Sequence, residues 1–263
     1  MQKLPQITQE NYFSREIANS YLSCSQVKNF IGTPAQPGCE AKAMAKLKGE
    51  YETKPTKAQL VGKYVDAYFS GTLNFLKSEY PELYRKDGGL YADFIQANEI
   101  IRLAISDPFF MQFLSGKSQT ILQGRLFGHE FIGRPDFMYD NLISDLKVMA
   151  DIDEVWTKDY GKLNFIDAWN YPLQGAIYQE LDFQKSGIRK PFYLAVLTKE
   201  KTPDHEIIFI PDSRLEAAML DLEDKLPRIA ALKAGEETPI RCEKCDYCKS
   251  TKKLTTIKNY VNL

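Results

Sequence analysis

The sequence predicts an α/β (α+β) chain: a central mixed sheet of about five strands flanked by helices, with a helical N-terminal segment and a cysteine-bearing tail. Three observations lead there. Apolar residues recur at helical spacing over 58–79 and again over 90–114. Between 119 and 148 the texture changes to short runs bounded by turn residues, which reads as strands. Helical pattern then returns at 164–187 and 212–234, with strand-like runs at 192–198 and 206–210 between them.

In chain order, Ser23 or Ser25 is placed to cap a helix that starts near Cys24. Residues 33–38 carry two prolines and a glycine and read as a loop, and the Ala/Lys-rich stretch 40–49 reads as a helix. Residues 119–127 and 129–138 read as strands paired around Gly128, with a third strand from Leu142 to Val148 after a turn at Asp140-Asn141. Pro172 must lie near the start of the 164–187 helix or at a kink. Asp212 or Ser213 is the expected cap of the 212–234 helix, with Pro227 as a kink. No linker or internal repeat is visible, so residues 1–263 are expected to form one domain, with a core over about 58–235.

The formal net charge of −1 excludes a chain that coats nucleic acid or membrane by bulk charge alone. It does not exclude a local basic groove. Residues 40–63 hold six lysines against three glutamates, and 241–258 hold six basic residues against two acids. Residues 206–225 hold six acids against two basic residues. The N-terminus lacks the apolar stretch of about 7–15 residues found in signal peptides. No run of about 18 apolar residues suggests a membrane span. The expectation is a cytoplasmic protein with reduced thiols.

Cys242, Cys245 and Cys248 form a C-x2-C-x2-C run, in which a turn can aim successive thiolates at one centre. Cys39 or Cys24, far upstream, could supply the fourth ligand of a tetrahedral site and staple residues 1–57 to 236–263; the alternative is three unligated surface thiols. The same run occurs around iron–sulfur clusters, and zinc is the alternative. Two histidines leave little room for a His-rich site.

The most informative stretch runs from Gly133 to Lys147. Asp145 and Lys147 are two apart on a predicted strand and share a face, while Leu142, Leu146 and Val148 pack behind them and Ile143 interrupts the alternation. Asp136 lies one hairpin earlier and can point at the same place. Two carboxylates and an ammonium suit metal-dependent phosphodiester hydrolysis: hard oxygens hold Mg²⁺ or Mn²⁺, and lysine orients the attacking water or stabilises developing charge. Gln174 and Tyr178 are four apart and share a helix face.

Pro135-Asp136 followed by Asp145-Leu146-Lys147 resembles the motif of PD-(D/E)XK nucleases. Gln174-Gly175-Ala176-Ile177-Tyr178 resembles the Q-x-x-x-Y motif of their RecB-like branch, and the layout resembles phage and prophage exonuclease VIII-type proteins. The resemblance implies a restriction-endonuclease-like core with Asp136 and Asp145 as metal ligands, the Leu146 carbonyl completing the site, Lys147 placing the water, and Gln174 and Tyr178 orienting Lys147 or a phosphate. Asp66, in Gly62-Lys63-Tyr64-Val65-Asp66, stands where relatives carry His, and remains a competent hard ligand. For the cysteines it implies Cys39 with Cys242, Cys245 and Cys248 around a [4Fe–4S] cluster, with zinc still open and Cys24 left over.

The implied activity is exonucleolytic degradation of linear double-stranded DNA in phage-type recombination inside a bacterial host. A single-strand annealing recombinase is the expected partner, and a homo-oligomer is possible within the resemblance. Rival readings are an endonuclease, a non-catalytic DNA-binding module on the same fold, and a redox protein built on the cysteines. No Walker A motif is present, which excludes an ATP motor of that type.

Overall fold

The computed structural model describes residues 4–254 and 257. Its helices are α1 (Arg15–Ser20), α2 (Cys24–Ile31), α3 (Glu40–Lys48), α4 (Lys57–Phe69), α5 (Leu73–Glu79), α6 (Gln96–Ser106), α7 (Pro108–Gln112), α8 (Phe165–Ala168), α9 (Tyr171–Ser186), α10 (Asp212–Ala234) and α11 (Asp246–Ser250). Its strands are β1 (Lys117–Ser118), β2 (Leu122–Leu126), β3 (His129–Gly133), β4 (Phe137–Met138), β5 (Ile143–Met149), β6 (Val155–Thr157), β7 (Gly161–Leu163), β8 (Phe192–Thr198) and β9 (His205–Ile210).

Five strands form one mixed sheet in the order β1-β4-β5-β8-β9. The β5–β8 pair is parallel, joined through a crossover that includes α9, and the other pairs are antiparallel. Helices cover both faces. Ile143, Phe192, Leu194 and Val196 pack under α2, α9 and α10. Leu146, Ala195 and Leu197 face α4 and α6. Because both faces are covered, β5 reads Ile-Ser-Asp-Leu-Lys-Val-Met with apolar residues on each side. Ile143 therefore does not break the alternation. It belongs to the Asp145 and Lys147 face, which is itself buried at that end, and Leu142 lies outside the strand.

Several expected boundaries shift. The 58–79 helix is two helices, broken where Gly71 takes φ 74°. The 90–114 helix stops at Asp107, whose carboxylate caps the amides of Phe109 and Phe110 and restarts the chain at Pro108. The second strand of the 119–138 hairpin ends at Gly133. β2 and β3 pair as a separate two-stranded sheet, and only Phe137 and Met138 reach the central sheet. The 164–187 helix is interrupted at Asn170, at φ 50°, and Pro172 sits in the first turn of α9, where no amide donor is needed. Pro211 caps α10, not Asp212 or Ser213. The Asp212 carboxylate accepts from Gln179 instead, at 3.0 Å. Pro227 lies inside an α10 that runs unbroken from 212 to 234. The β6–β7 hairpin, with three residues in each strand, is too short to carry a periodic signal in the sequence.

Ser23 caps α2 through the Gln26 amide, and Cys39 caps α3 through the Lys42 amide. Among the described residues, no helix is long and apolar enough to cross a membrane.

Candidate active site and cysteine centre

The site forms where β5, the turn before β4, α4 and α9 meet. Asp145 is 1% exposed. Its two oxygens are both engaged: one pairs with the Lys147 ammonium, and the other accepts from Gln174 Nε2 at 3.0 Å. The two-residue period of β5 puts Asp145 and Lys147 on one face, as the sequence predicts. Asp136 lies immediately before β4, and its carboxylate accepts from the Leu146 amide at 2.9 Å and from Gln119 Nε2 at 3.4 Å. The Leu146 main chain thus meets Asp136 through its N–H.

Gln174 and Tyr178 sit one turn apart on α9. Gln174 Nε2 also reaches the Tyr178 hydroxyl at 2.9 Å, and that hydroxyl donates to the Arg134 carbonyl at 3.3 Å. Two glycines make this packing possible. A Cβ on Gly133 would lie 2.7 Å from the Tyr178 ring, and one on Gly175 would lie 2.3 Å from the Phe192 ring. Gln174 and Tyr178 therefore brace Asp145 and the turn after β3. The Lys147 Nζ lies 5.2 Å from the centre of the Tyr171 ring, and Lys28 Nζ lies 5.2 Å from the same ring.

Asp66 reaches this centre from α4, whose residues pack against β5. Its Oδ1 is buried and has no hydrogen-bond partner. Burial, then the Asp145 charge, push its pKa up to about 6. Burial, with Asp145 and Asp66, drives the Asp136 pKa well above the carboxylate range. Burial opposes the Lys147 charge, yet Asp145 and Asp136 hold the ammonium and raise its pKa above its ordinary value. Burial and the same two carboxylates raise the Tyr178 pKa, so its hydroxyl stays protonated and able to donate.

These features fit a divalent cation. Three carboxylates share one buried place with a single lysine among them. One carboxylate oxygen there is desolvated and unpartnered, and the donors are hard oxygens. A cation would supply the missing partner and positive charge.

The second centre joins the two ends of the chain. The sulfurs of Cys39, Cys242, Cys245 and Cys248 all lie within 4.8 Å of one another. Cys39 and Cys248 are 3.6 Å apart, and Cys242 and Cys248 are 3.9 Å apart. Amides of Cys245 and Cys248 point at the sulfurs of Cys242 and Cys245. Burial raises the Cys242 pKa, but hydrogen bonds from the Lys244 and Cys245 amides outweigh it and bring it down to about 6, while burial pushes Cys245 up to about 12 and Cys248 up as well. Around the centre, Arg228 pairs with Glu40, and Glu40 also accepts from the Ile240 amide at 2.7 Å. Cys24 lies outside the quartet, buried beside Gln174 and Tyr178, where burial raises its pKa.

The structure thus gathers Asp66, Asp136, Asp145, Lys147, Gln174 and Tyr178 in one place and the four predicted cysteines in another. Sequence reasoning missed Arg134, Gln119, Lys28 and Tyr171. Arg134 precedes Pro135-Asp136 and was findable from that position. Its guanidinium lies over the rings of Tyr12 and Phe13, at 4.8 and 4.4 Å, a contact across more than 100 residues that no local pattern announces.

A two-sided mixed sheet with Asp136, Asp145 and Lys147 at its centre defines the PD-(D/E)XK class of fold. Residues 23–251 match the family described as a PDDEXK-like domain of unknown function (DUF3799), and the chain belongs to that family. It is also similar to the crystal structure of a "Putative exonuclease" from Eubacterium rectale. Sequence identity is 42%, with 97% of each chain covered and a TM-score of 0.93. Comparison with curated proteins finds no match.

Proposed function

We propose that this protein is a divalent-metal-dependent nuclease that degrades linear double-stranded DNA from its ends. The observation that carries this reading is the buried Asp66–Asp136–Asp145 group, with its unpartnered Asp66 oxygen and a charged Lys147 beside it. Asp66, Asp136 and Asp145 would hold Mg²⁺ or Mn²⁺, which supplies a lowered water pKa and offsets charge on the phosphoryl group.

The chain's own residues do the rest. Lys147 is held protonated by two carboxylates, so it is no general base near neutrality. It donates, to the attacking water or to the phosphate oxygen on which charge develops. Gln174 fixes Asp145 and Tyr178 together, which limits the positions the carboxylate can take. Tyr171 places an aromatic face beside the Lys147 ammonium.

Action on ends draws support from the name of the Eubacterium rectale relative. A place in phage-type recombination beside a single-strand annealing recombinase, a bacterial cytoplasmic setting, and a homo-oligomeric state rest on the sequence resemblance. The four thiolates act as a structural metal centre binding the N-terminal segment to the tail, which leaves residues 1–263 as one domain. The resemblance favours [4Fe–4S]. The sulfur separations favour one tetrahedral ion, since zinc–sulfur bonds of about 2.3 Å give a sulfur–sulfur edge of about 3.8 Å.

The test uses pure protein with end-labelled linear duplex, closed circular duplex and single strand, each with Mg²⁺, Mn²⁺ or chelator. Degradation of linear DNA alone, abolished by chelator and in Lys147→Ala, is expected. Equal cutting of circles would refute action at ends, and absence of cutting with either metal would refute the nuclease.

A further inference from the structure

Two clefts share Asn29, Gln36 and Lys42, and so run together across the face between the active site and the cysteine centre. The larger, about 680 Å³, begins at Asp66, Leu146 and Val148. The smaller, about 180 Å³, ends against Cys39, Trp169 and Tyr171. Lys28, Lys42, Lys46, Lys54, Lys63 and Lys199 line this groove, and Asp66 is the one acid on its walls.

None of the six lysines has a carboxylate partner among the described residues. Lys28 donates to the Trp169 carbonyl, Lys46 to the Asn29 side chain and Lys199 to the Val148 carbonyl, while Lys63 lies over the Tyr80 ring. Burial, then the neighbouring Lys42, push the Lys46 pKa down. A chain with a net charge of −1 has thus gathered uncompensated positive charge on one wall. An anion is the missing partner. Aromatic rings stand at both ends of the groove, Tyr80 at the larger cleft and Trp169 with Tyr171 at the smaller. Lysines for phosphates with aromatic faces for bases are the pattern that suits an unpaired strand, because the bases of a duplex already stack on one another.

We propose that this groove holds single-stranded nucleic acid leading to or from the active site, gripped through its phosphates by Lys42, Lys46, Lys54 and Lys63 and stacked at its ends on Tyr80 and Trp169. This deepens the nuclease reading and rests on it for direction, since the strand in the groove would be continuous with the strand being cut. The groove also gives the cysteine centre a purpose: α3, which carries Lys42 and Lys46, starts at Cys39, so the metal site anchors one wall.

The test is equilibrium binding of labelled oligo(dT) of about twelve nucleotides to the full chain in chelator, over a range of salt. Three proteins are compared: wild type, Lys42→Gln/Lys46→Gln, and Lys158→Gln/Lys185→Gln, which removes two exposed lysines outside the groove. The groove variant is expected to flatten the slope of log K against log salt by about 1.4, or 0.7 per lysine, which is about 25-fold weaker binding at 0.1 M relative to 1 M salt. The control pair should keep the wild-type slope. A groove variant with the wild-type slope, or one that loses blunt duplex affinity by the same factor, overturns the proposal. Degradation of end-labelled linear duplex by wild type with Mg²⁺ or Mn²⁺ separates the two readings. If wild type leaves it intact with both metals while the slope change stands, the nuclease reading falls and the groove survives. A circular dichroism melt confirms that each variant is folded.

Discussion

Replacing Asp66 with asparagine should make the metal-free protein more stable while removing its activity. In the folded chain burial and the Asp145 charge raise the Asp66 pKa from 3.8 to about 6. The fold therefore disfavours the charged form. The sign follows: the penalty is absent below pH 3.8, grows as pH rises toward 6, and is fully present above it. A rise of about 2.2 pKa units at 1.36 kcal/mol each sets an upper limit of about 3 kcal/mol on what the carboxylate costs at pH 7.5. Asparagine keeps the shape, carries no charge, and can donate to the nearby carboxylates. For a chain of this length that gain corresponds to a melting temperature higher by about 5 °C. The assay is thermal unfolding in chelator from pH 4.5 to 8, for wild type and Asp66→Asn. Wild type should lose stability as pH rises through 6, and the variant should follow a flatter curve. Adding Mg²⁺ or Mn²⁺ should stabilise wild type more than the variant, since binding to the native state alone raises its stability. A variant that melts at or below wild type in chelator across this range would refute the argument, because the carboxylate would then be satisfied within the protein.

Other perturbations have defined outcomes. Lys147→Gln leaves Asp145, 1% exposed, without its cation; a loss of about 3 kcal/mol in urea unfolding is expected, together with loss of DNA hydrolysis. Gly175→Ala drives a methyl into the Phe192 ring, so α9 must shift; a cost of about 1–3 kcal/mol and slower hydrolysis are expected, because Gln174 and Tyr178 move with it. Cys245→Ser should strip the cysteine centre of its metal by elemental analysis, lower the melting temperature and expose α3 to limited proteolysis. Brown protein with iron would identify the cluster, and colourless protein with one zinc per chain would identify the single ion.

Local chemistry made some of this protein legible in one dimension. The cysteine run, the strand-length run around Asp145 and Lys147, and the Gln174–Tyr178 spacing on a helix are all short-range patterns, and backbone geometry alone assigns their faces. The helix breaks were harder to place. Gly71, Asp107 with Pro108, and Asn170 each interrupt a continuing apolar pattern, and the pattern continues because the next segment packs on the same core, on one face of the sheet for Gly71 and Asp107 and on the other for Asn170. Ile143 reads as an irregularity in one dimension because periodicity along a strand does not show that both faces of the sheet are covered.

What the sequence by itself determined were the residue types, the periodicities and the candidate ligands. Which residues meet was decided by tertiary structure. Asp66 arrives from α4, Asp136 from the turn before β4 and Gln174 from α9, and their shared desolvation is what leaves one carboxylate oxygen without a partner. Cys39 rather than Cys24 completes the quartet because α3 begins beside the tail, whereas Cys24 is buried under α9 near the active site. The basic groove depends on long-range packing too: lysines on α2, α3 and α4 and after β8 become neighbours only when the N-terminal helices pack beside β5 and the end of β8. Charge, burial and distance between residues far apart in sequence are properties of the fold, and no pattern along the chain encodes them.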